Sequence, residues 1–468
     1  MKWMIHLTLL LCFISVLSAL EKPNIVVVLF DDMGYGEPGC YRAESKLKTP
    51  NLDRLAAQGM RFTDAHSASS VCTPTRYGLL TGRYPSRMGQ YGVLTSYDPP
   101  IIPPSRMTVA SFLKNHGYDT ACIGKWHLGM DWSAKPNHKG SPPLGSIVTS
   151  GPIQLGFDTF YGFTHARDIG TIVEQNKVVE HVEDSENQPK MIAKALEWLD
   201  KRDPNQPFFL YFPICPPHTP IAPSEEFIGK SGATDEVKND RKYGDWLYQG
   251  DHMLGQILDA LERKGFSQNT LVLATADNGA SDRTYKPLRG AKTSIYEGGH
   301  RVPCVIRWPG KISAGSVCSG TVCHNDLMAT CAEILHQKIP DDAGEDSVSY
   351  LPLLMGKSKE SSREATIHQS ASGDLAIRKG PWKLIFLKNG KRELYQISDD
   401  LGETEDVASD HPDIVTELTA LMKRYVADGR STEGGKQSSS AKHMDPDRRT
   451  GKKAESSKVK QNKAQEEG

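Results

Sequence analysis

Cys72-Thr73-Pro74-Thr75-Arg76 runs directly into Tyr77-Gly78-Leu79-Leu80-Thr81-Gly82-Arg83. A helix starting near Pro74 puts Cys72 at its mouth, and since residues four apart share a face, Arg76 stands just behind it. Unpaired amide N–H groups and the helix dipole favour negative charge there, and a guanidinium adds a charge-assisted fork. The spacing offers an anion site beside a nucleophile, although the same five residues also suit a buried cysteine near a helix cap. Oxygen ligands gather at two other places. Asp31-Asp32 closes the apolar run from Asn24 to Phe30, and Asp277-Asn278 closes a second run from Thr270 to Ala276. Two acids before a glycine also suit a solvated turn, but two buried strands far apart in sequence with the same ending point to shared work. Three carboxylates and an amide oxygen fit a hard divalent cation, Ca2+ ahead of Mg2+, because calcium accepts irregular oxygen shells.

Two further segments supply bases. In Gly124-Lys125-Trp126-His127 an extended backbone turns Lys125 and His127 to one side while Trp126 packs behind. His218 follows Pro213-Ile214-Cys215-Pro216-Pro217, where the prolines fix the backbone at a strand end.

The elements that must position these residues read as an α/β fold. The 24–30 run is apolar and β-branched throughout, as a parallel strand covered on both faces would be. A short helix is expected over 49–59, and a strand over 60–66 leads into the Cys72 loop. Helices over 109–116, 192–201 and 245–264 alternate with strands over 118–123, 207–212 and 270–276. Residues 131–151 read as a long surface loop that contributes to substrate selection. His165, Arg167 and Asp168 read as part of an ordinary polar loop. Beyond about Pro352 the chemical motifs stop, and strands over 382–387 and 393–397 flank Asn389-Gly390, a strong hairpin signal. With a helix over 412–426 they make a small antiparallel α+β unit. From Gly429 onward only Met444 and Val459 offer a sizeable aliphatic side chain, so 429–468 is expected to be disordered.

A chain of 468 residues with a formal net charge of -1 generates no field suited to nucleic acid or an anionic membrane, so anion recognition must be local. Lys2, the apolar run over 7–17 and Ser18-Ala19 have the layout of a secretory signal peptide over 1–19, which implies a periplasmic or extracellular protein. No stretch is long enough to span a membrane. Setting aside Cys12 and Cys72, seven cysteines remain, an odd number whose spacing dictates no pairing; they read mostly as small buried side chains.

The Cys72–Arg83 segment resembles the activating motif of the formylglycine-dependent sulfatases, with Thr75 where that family more often has Ser or Ala. The resemblance extends over most of 23–427 through five motifs, including Lys125-Trp126-His127 and the stretch from Leu288 to Pro303. It implies an alkaline-phosphatase-like sandwich with a mostly parallel sheet, a catalytic domain over 20–355, a C-terminal antiparallel-sheet subdomain over 356–428, and a secreted bacterial sulfatase. It also implies that a formylglycine-generating enzyme oxidises Cys72, and that Asp31, Asp32, Cys72, Asp277 and Asn278 hold calcium. By the same likeness Arg76 and His127 support the aldehyde hydrate, His218 protonates the leaving alcohol, and Lys125 and Lys292 bind sulfate with His218. The expected substrate is a sulfated small molecule or polysaccharide. Two alternatives stand: a phosphodiesterase or phosphonate monoester hydrolase of the same superfamily, and a catalytically dead sulfated-glycan-binding protein.

Overall fold

The computed structural model describes residues 22–134, 140–234, 240–437 and 443–447. The signal peptide expected over 1–19 lies outside them. The sheet strands are β1 (Asn24–Asp31), β2 (Met60–Phe62), β3 (Asp119–Lys125), β4 (Thr159–Phe163), β5 (Thr171–Glu174), β6 (Lys177–His181), β7 (Phe208–Pro217), β8 (Thr270–Ala276), β9 (Cys304–Arg307) and β10 (Ser316–Cys318). They form one ten-stranded sheet in the order β10-β2-β9-β8-β1-β7-β3-β4-β5-β6. The five central strands, β8 to β4, run parallel. Antiparallel pairs join β8 to β9, β9 to β2, and the β4-β5-β6 edge.

The unbroken apolar sequence of β1 has a direct structural cause, since both its faces are covered. Val27 and Leu29 point into one core with Leu79, Val109 and Leu327, while Val26, Val28 and Phe30 point into another with Leu55, Met191 and Trp246. Helices α1 (Pro50–Gln58), α4 (Asp184–Asp200) and α5 (Asp240–Arg263) cover the second face. The first is covered by α2 (Cys72–Thr81), α3 (Val109–Asn115) and α6 (Leu327–Ile334). The expected α/β class and mostly parallel sheet are therefore found. Helix α4 begins eight residues before the expected start at 192, because Glu183 and Glu186 close a capping box that outweighs the proline at 189 inside the helix. Within the 131–151 loop, Asp131–Trp132 pairs with Val148–Ser150.

A separate antiparallel sheet is built from β11 (Thr366–Gln369), β12 (Leu375–Lys379), β13 (Trp382–Phe386) and β14 (Arg392–Gln396). Asn389-Gly390 closes the β13-β14 hairpin, with Gly390 at φ 93°. Helix α7 (Pro412–Asp428) packs Leu418, Met422 and Tyr425 onto this sheet in a core shared with Ala68 and Tyr84, which flank the Cys72 segment. Residues 429–437 and 443–447, assigned from composition to a disordered tail, are held against the body. Arg430 pairs with Asp341 at 2.9 Å, and Met444, one of the two aliphatic residues noted there, is buried in the same core. The other parts of the 429–468 segment lie outside the described residues.

Candidate active site

Parallel strands deliver their carboxyl ends to one edge of the sheet. Phe30 pairs in register with Ala276, and Asp31 with Pro217, so Asp31, Asp277 and His218 emerge side by side from β1, β8 and β7. Lys125 ends β3, the next strand along. Gly124 lets β3 lie this close, because a Cβ there would sit 2.1 Å from the Pro213 carbonyl oxygen. Gly279 has a similar role after Asp277-Asn278: its Cβ would be 1.9 Å from the Gly298 oxygen. Asp32 and His127 adopt left-handed backbone, with φ 70° and 58°, a conformation that non-glycine residues reach at a cost and that concentrates at functional sites.

Cys72 is the first residue of α2 and is almost fully buried. The helix thus starts two residues before Pro74, still with the thiol at its mouth. Arg76, one turn on, has no exposed surface; its Nη2 donates to Asp277 Oδ2 at 2.8 Å and stands 3.6 Å from Asp31 Oδ1. The Thr75 hydroxyl donates to the Ser69 carbonyl at 2.9 Å, tying the loop to the helix. Burial alone would push the Cys72 thiol up, but Lys125, Lys292 and His127 together hold it well below the usual thiol range.

Asp31, Asp32 and Asp277 each turn a carboxylate oxygen into a space in which all three lie within 4.8 Å of one another. Lys125 Nζ bonds Asp31, and Lys292 Nζ donates to Asp32 Oδ2 at 2.6 Å. Burial would raise Asp31, yet Lys125 foremost keeps it well below the carboxylate range. Asp277 goes the other way, pushed well up by burial and by the charge on Asp31. Asn278 donates through Nδ2 to Asp32 Oδ1 at 2.7 Å, while its Oδ1 is buried with no hydrogen-bond donor, as is Asp31 Oδ1. Buried oxygens left without donors beside clustered carboxylates are what a hard cation satisfies, so these four residues fit the divalent ion expected from the sequence.

Two imidazoles flank the thiol. His127 Nε2 donates to the Leu94 carbonyl at 2.9 Å, which leaves Nδ1 as a buried lone pair without a donor. Burial and then the Lys125 charge push His127 down to about 4, so it is neutral at pH 7. The Thr219 carbonyl next to His218 Nδ1 can only accept, so Nδ1 carries a proton and Nε2 faces the site, 3.6 Å from Asp32 Oδ2. Burial would lower His218, but Asp31 and Asp32 raise it.

Cys72, Lys125, His127, His218 and Lys292 line one side of a cavity of about 340 Å³. The lining also includes His165 and Arg167, whose sequence reads as a polar loop, together with Val93, Thr95 and Ala371. The available signal was position: the segment follows β4, another strand that runs parallel to β3. Ala371 comes from the C-terminal sheet unit, where its N–H donates to the Thr293 carbonyl at 3.1 Å and the Gln369 carbonyl accepts from Ser70 N–H at 3.0 Å. That unit therefore builds part of the site, which its lack of motifs did not suggest.

Residues 23–337 match the family model described as Sulfatase, and residues 291–430 match that of the N-sulphoglucosamine sulphohydrolase C-terminal region. The chain is 31% identical to an N-acetylgalactosamine-6-O-sulfatase of Bacteroides thetaiotaomicron, over 86% of this chain and 93% of that protein. It is 33% identical to arylsulfatase A of Homo sapiens, over 82% and 78% respectively. A solved structure from work on the metabolism of multiple glycosaminoglycans by Bacteroides thetaiotaomicron superposes with a TM-score of 0.76 at 29% identity, covering 86% of this chain and 99% of that one.

Proposed function

We propose that this chain, which belongs to the sulfatase family of the alkaline phosphatase superfamily, cleaves sulfate esters on a sulfated glycan through Cys72 oxidised to formylglycine, beside a bound Ca2+. The observation that carries this reading is the convergence of a helix-mouth cysteine, two buried lysines and two imidazoles on one cavity, beside a carboxylate cluster in which two buried oxygens have no donor. Held by Asp31, Asp32, Asp277 and Asn278, the cation would supply charge neutralisation for a sulfate and lower the pKa of a neighbouring hydroxyl. As formylglycine, residue 72 would supply a hydrated aldehyde, one hydroxyl of which attacks sulfur while the other allows sulfate to be expelled.

The remaining steps belong to side chains of the chain itself. Against the pull of burial, the Asp31 carboxylate keeps Lys125 charged and the Asp32 and Asp31 carboxylates keep Lys292 charged, so both meet the sulfate oxygens as preformed cations and need no reorganisation. His218, which Asp31 and Asp32 raise against its burial, is placed to hold a proton on Nε2 for the leaving alcohol oxygen. His127 is neutral, and its Nδ1 lone pair is placed to accept a proton from residue 72. Arg76 anchors Asp277 and holds the floor of the site.

A division into a catalytic domain over 20–355 and a C-terminal subdomain over 356–428 fits this assignment. So do export by a signal peptide and maturation by a formylglycine-generating enzyme. The test is turnover of an aryl sulfate, an aryl phosphate and 6-O-sulfated N-acetylgalactosamine by the mature protein, with mass analysis of the peptide carrying residue 72. Sulfate release together with an aldehyde at position 72 is expected. Preferred phosphate turnover would move the chain to the phosphohydrolase reading, and no turnover with intact ligand binding would move it to the glycan-binding one.

A further inference from the structure

The cavity beyond the sulfate-facing residues carries one formal charge. Arg167 lies at its mouth on a short turn, Ala166–Asp168, with its side chain exposed. Among the described residues its guanidinium makes no ion pair or hydrogen bond, and no Asp or Glu of those residues lines the cavity. An unpaired arginine over an acid-free cavity is a standing attraction for an anion that the protein does not supply.

The turn that presents it is firmly held. Asp168 next door is buried and accepts from Ser96 Oγ at 2.5 Å, from Thr171 Oγ1 at 2.6 Å, and from Ser141. Those hydroxyls satisfy the Asp168 carboxylate, so it is not a partner for the neighbouring guanidinium. Within the turn, Arg167 N–H donates to His165 Nδ1 at 3.0 Å, which puts the imidazole proton on Nε2. The His165 ring stands 5.8 Å from that of His127, centre to centre, so it bridges the sulfate-facing residues and the mouth. Burial, with the nearby Lys125 and Arg167 charges, keeps it neutral against the pull of Asp168. The His165 Nε2–H in turn faces Ser96 Oγ at 3.4 Å, so the outer cavity offers a braced neutral ring and then a positive fork.

We propose that Arg167, beside the neutral His165 ring, binds a second anionic group of the substrate, so that the preferred glycan carries a carboxylate or another sulfate beside the ester that is cleaved. This rests on the sulfatase reading and names the substrate class for it. A charge-assisted fork at a partly exposed site is worth about tenfold in affinity, and salt should erode it more than it erodes the buried sulfate contacts.

The experiment uses the mature protein with three saccharides that share one sulfated hexosamine: a singly charged one, one linked to a hexuronate, and one with a second sulfate. At low ionic strength wild type should favour at least one doubly charged substrate about tenfold in kcat/KM, with the difference in KM. Whichever arm shows the gain identifies the anion. In Arg167→Gln that ratio should fall close to one, and Arg167→Lys should restore part of it. Calorimetric affinities of the Cys72→Ala protein for the same saccharides should give the same ratio without turnover. A wild-type ratio near one, or a ratio unchanged in Arg167→Gln, overturns the proposal. An aryl sulfate left uncleaved by protein bearing formylglycine would refute the sulfatase reading alone, because the affinity ratio would still report on Arg167.

Discussion

Asp277→Asn tests whether the strand-end acids form a cation site, and the structure allows the size of the effect to be worked out with and without the ion. The Asp277 carboxylate lies within 4.8 Å of those of Asp31 and Asp32, and at an effective dielectric of 20 each such repulsion costs about 3 kcal/mol. Against this, its 2.8 Å pair with Arg76 contributes an attraction of about 6 kcal/mol on the same scale. The two nearly cancel, and a proton on Asp277, which its raised pKa favours, would shrink the difference further. In excess chelator, wild type and Asp277→Asn should therefore unfold in urea at free energies within about 2 kcal/mol of each other.

Calcium is expected to separate them. Held at a thousand times its dissociation constant, the ion stabilises wild type by about 4 kcal/mol, whereas a variant that has lost a charged ligand and sits near its own dissociation constant gains less than about 1 kcal/mol. The quantity to measure is the coupling between calcium and the substitution, about 3 kcal/mol or more, from four unfolding curves. A coupling near zero, or an equal response of both proteins to chelation, would refute the assignment of these residues as ligands. Activity should track the same pattern.

Cys72→Ala should abolish sulfate release while leaving the unfolding free energy within about 1 kcal/mol of wild type, because a buried thiol is replaced by a smaller apolar group; turnover in that variant would end the proposed mechanism. His218→Gln should lower kcat more for alkyl than for aryl sulfates, since a poor leaving alcohol needs the proton and a phenol does not; equal losses on both would remove His218 from that role. Acid should destabilise the fold through buried histidines. Burial and the nearby His66 push His324 down to about 3, so below an ordinary pKa of about 6.5 the unfolded chain takes up a proton that the folded one refuses. Stability from this residue is complete at neutral pH and falls between about 6.5 and 3, by about 2 kcal/mol at pH 5; urea unfolding of wild type and His324→Gln at both pH values should show a shallower loss in the variant.

Much of this site was legible because its residues sit where the chain changes habit. Asp31-Asp32 and Asp277-Asn278 interrupt runs of six and seven apolar or β-branched positions, and the runs are unbroken because both faces of β1 and β8 are buried. Lys125 and His218 end strands in the same way. Contributions that come from packing between distant elements left no such mark. Ala371 reaches the cavity through a backbone bond to Thr293 that no periodicity encodes, and the start of α4 is set by a capping box ahead of a proline that argues for a later start. The His165-Ala166-Arg167-Asp168 segment lacks glycine punctuation and looks like any solvated loop. Its significance lies in Asp168 being occupied by the Ser96, Ser141 and Thr171 hydroxyls, which leaves Arg167 without a partner among the described residues.

The charge balance of the site explains how a chain with a net charge of -1 can grip a sulfate. The three carboxylates of Asp31, Asp32 and Asp277 are matched by Arg76, Lys125 and Lys292, so the buried protein groups alone are close to neutral and can be packed together at tolerable cost. A divalent cation held by these residues would leave two positive charges in excess in a low-dielectric site, where an oxyanion would be held far more strongly than at the surface. That excess does not distinguish sulfate from phosphate and should bind the more highly charged phosphate at least as well. Inorganic phosphate is accordingly expected to inhibit competitively. Selection between the esters must then come from the chemistry at position 72 and not from the strength of the grip, because binding shared by ground and transition states does not raise kcat.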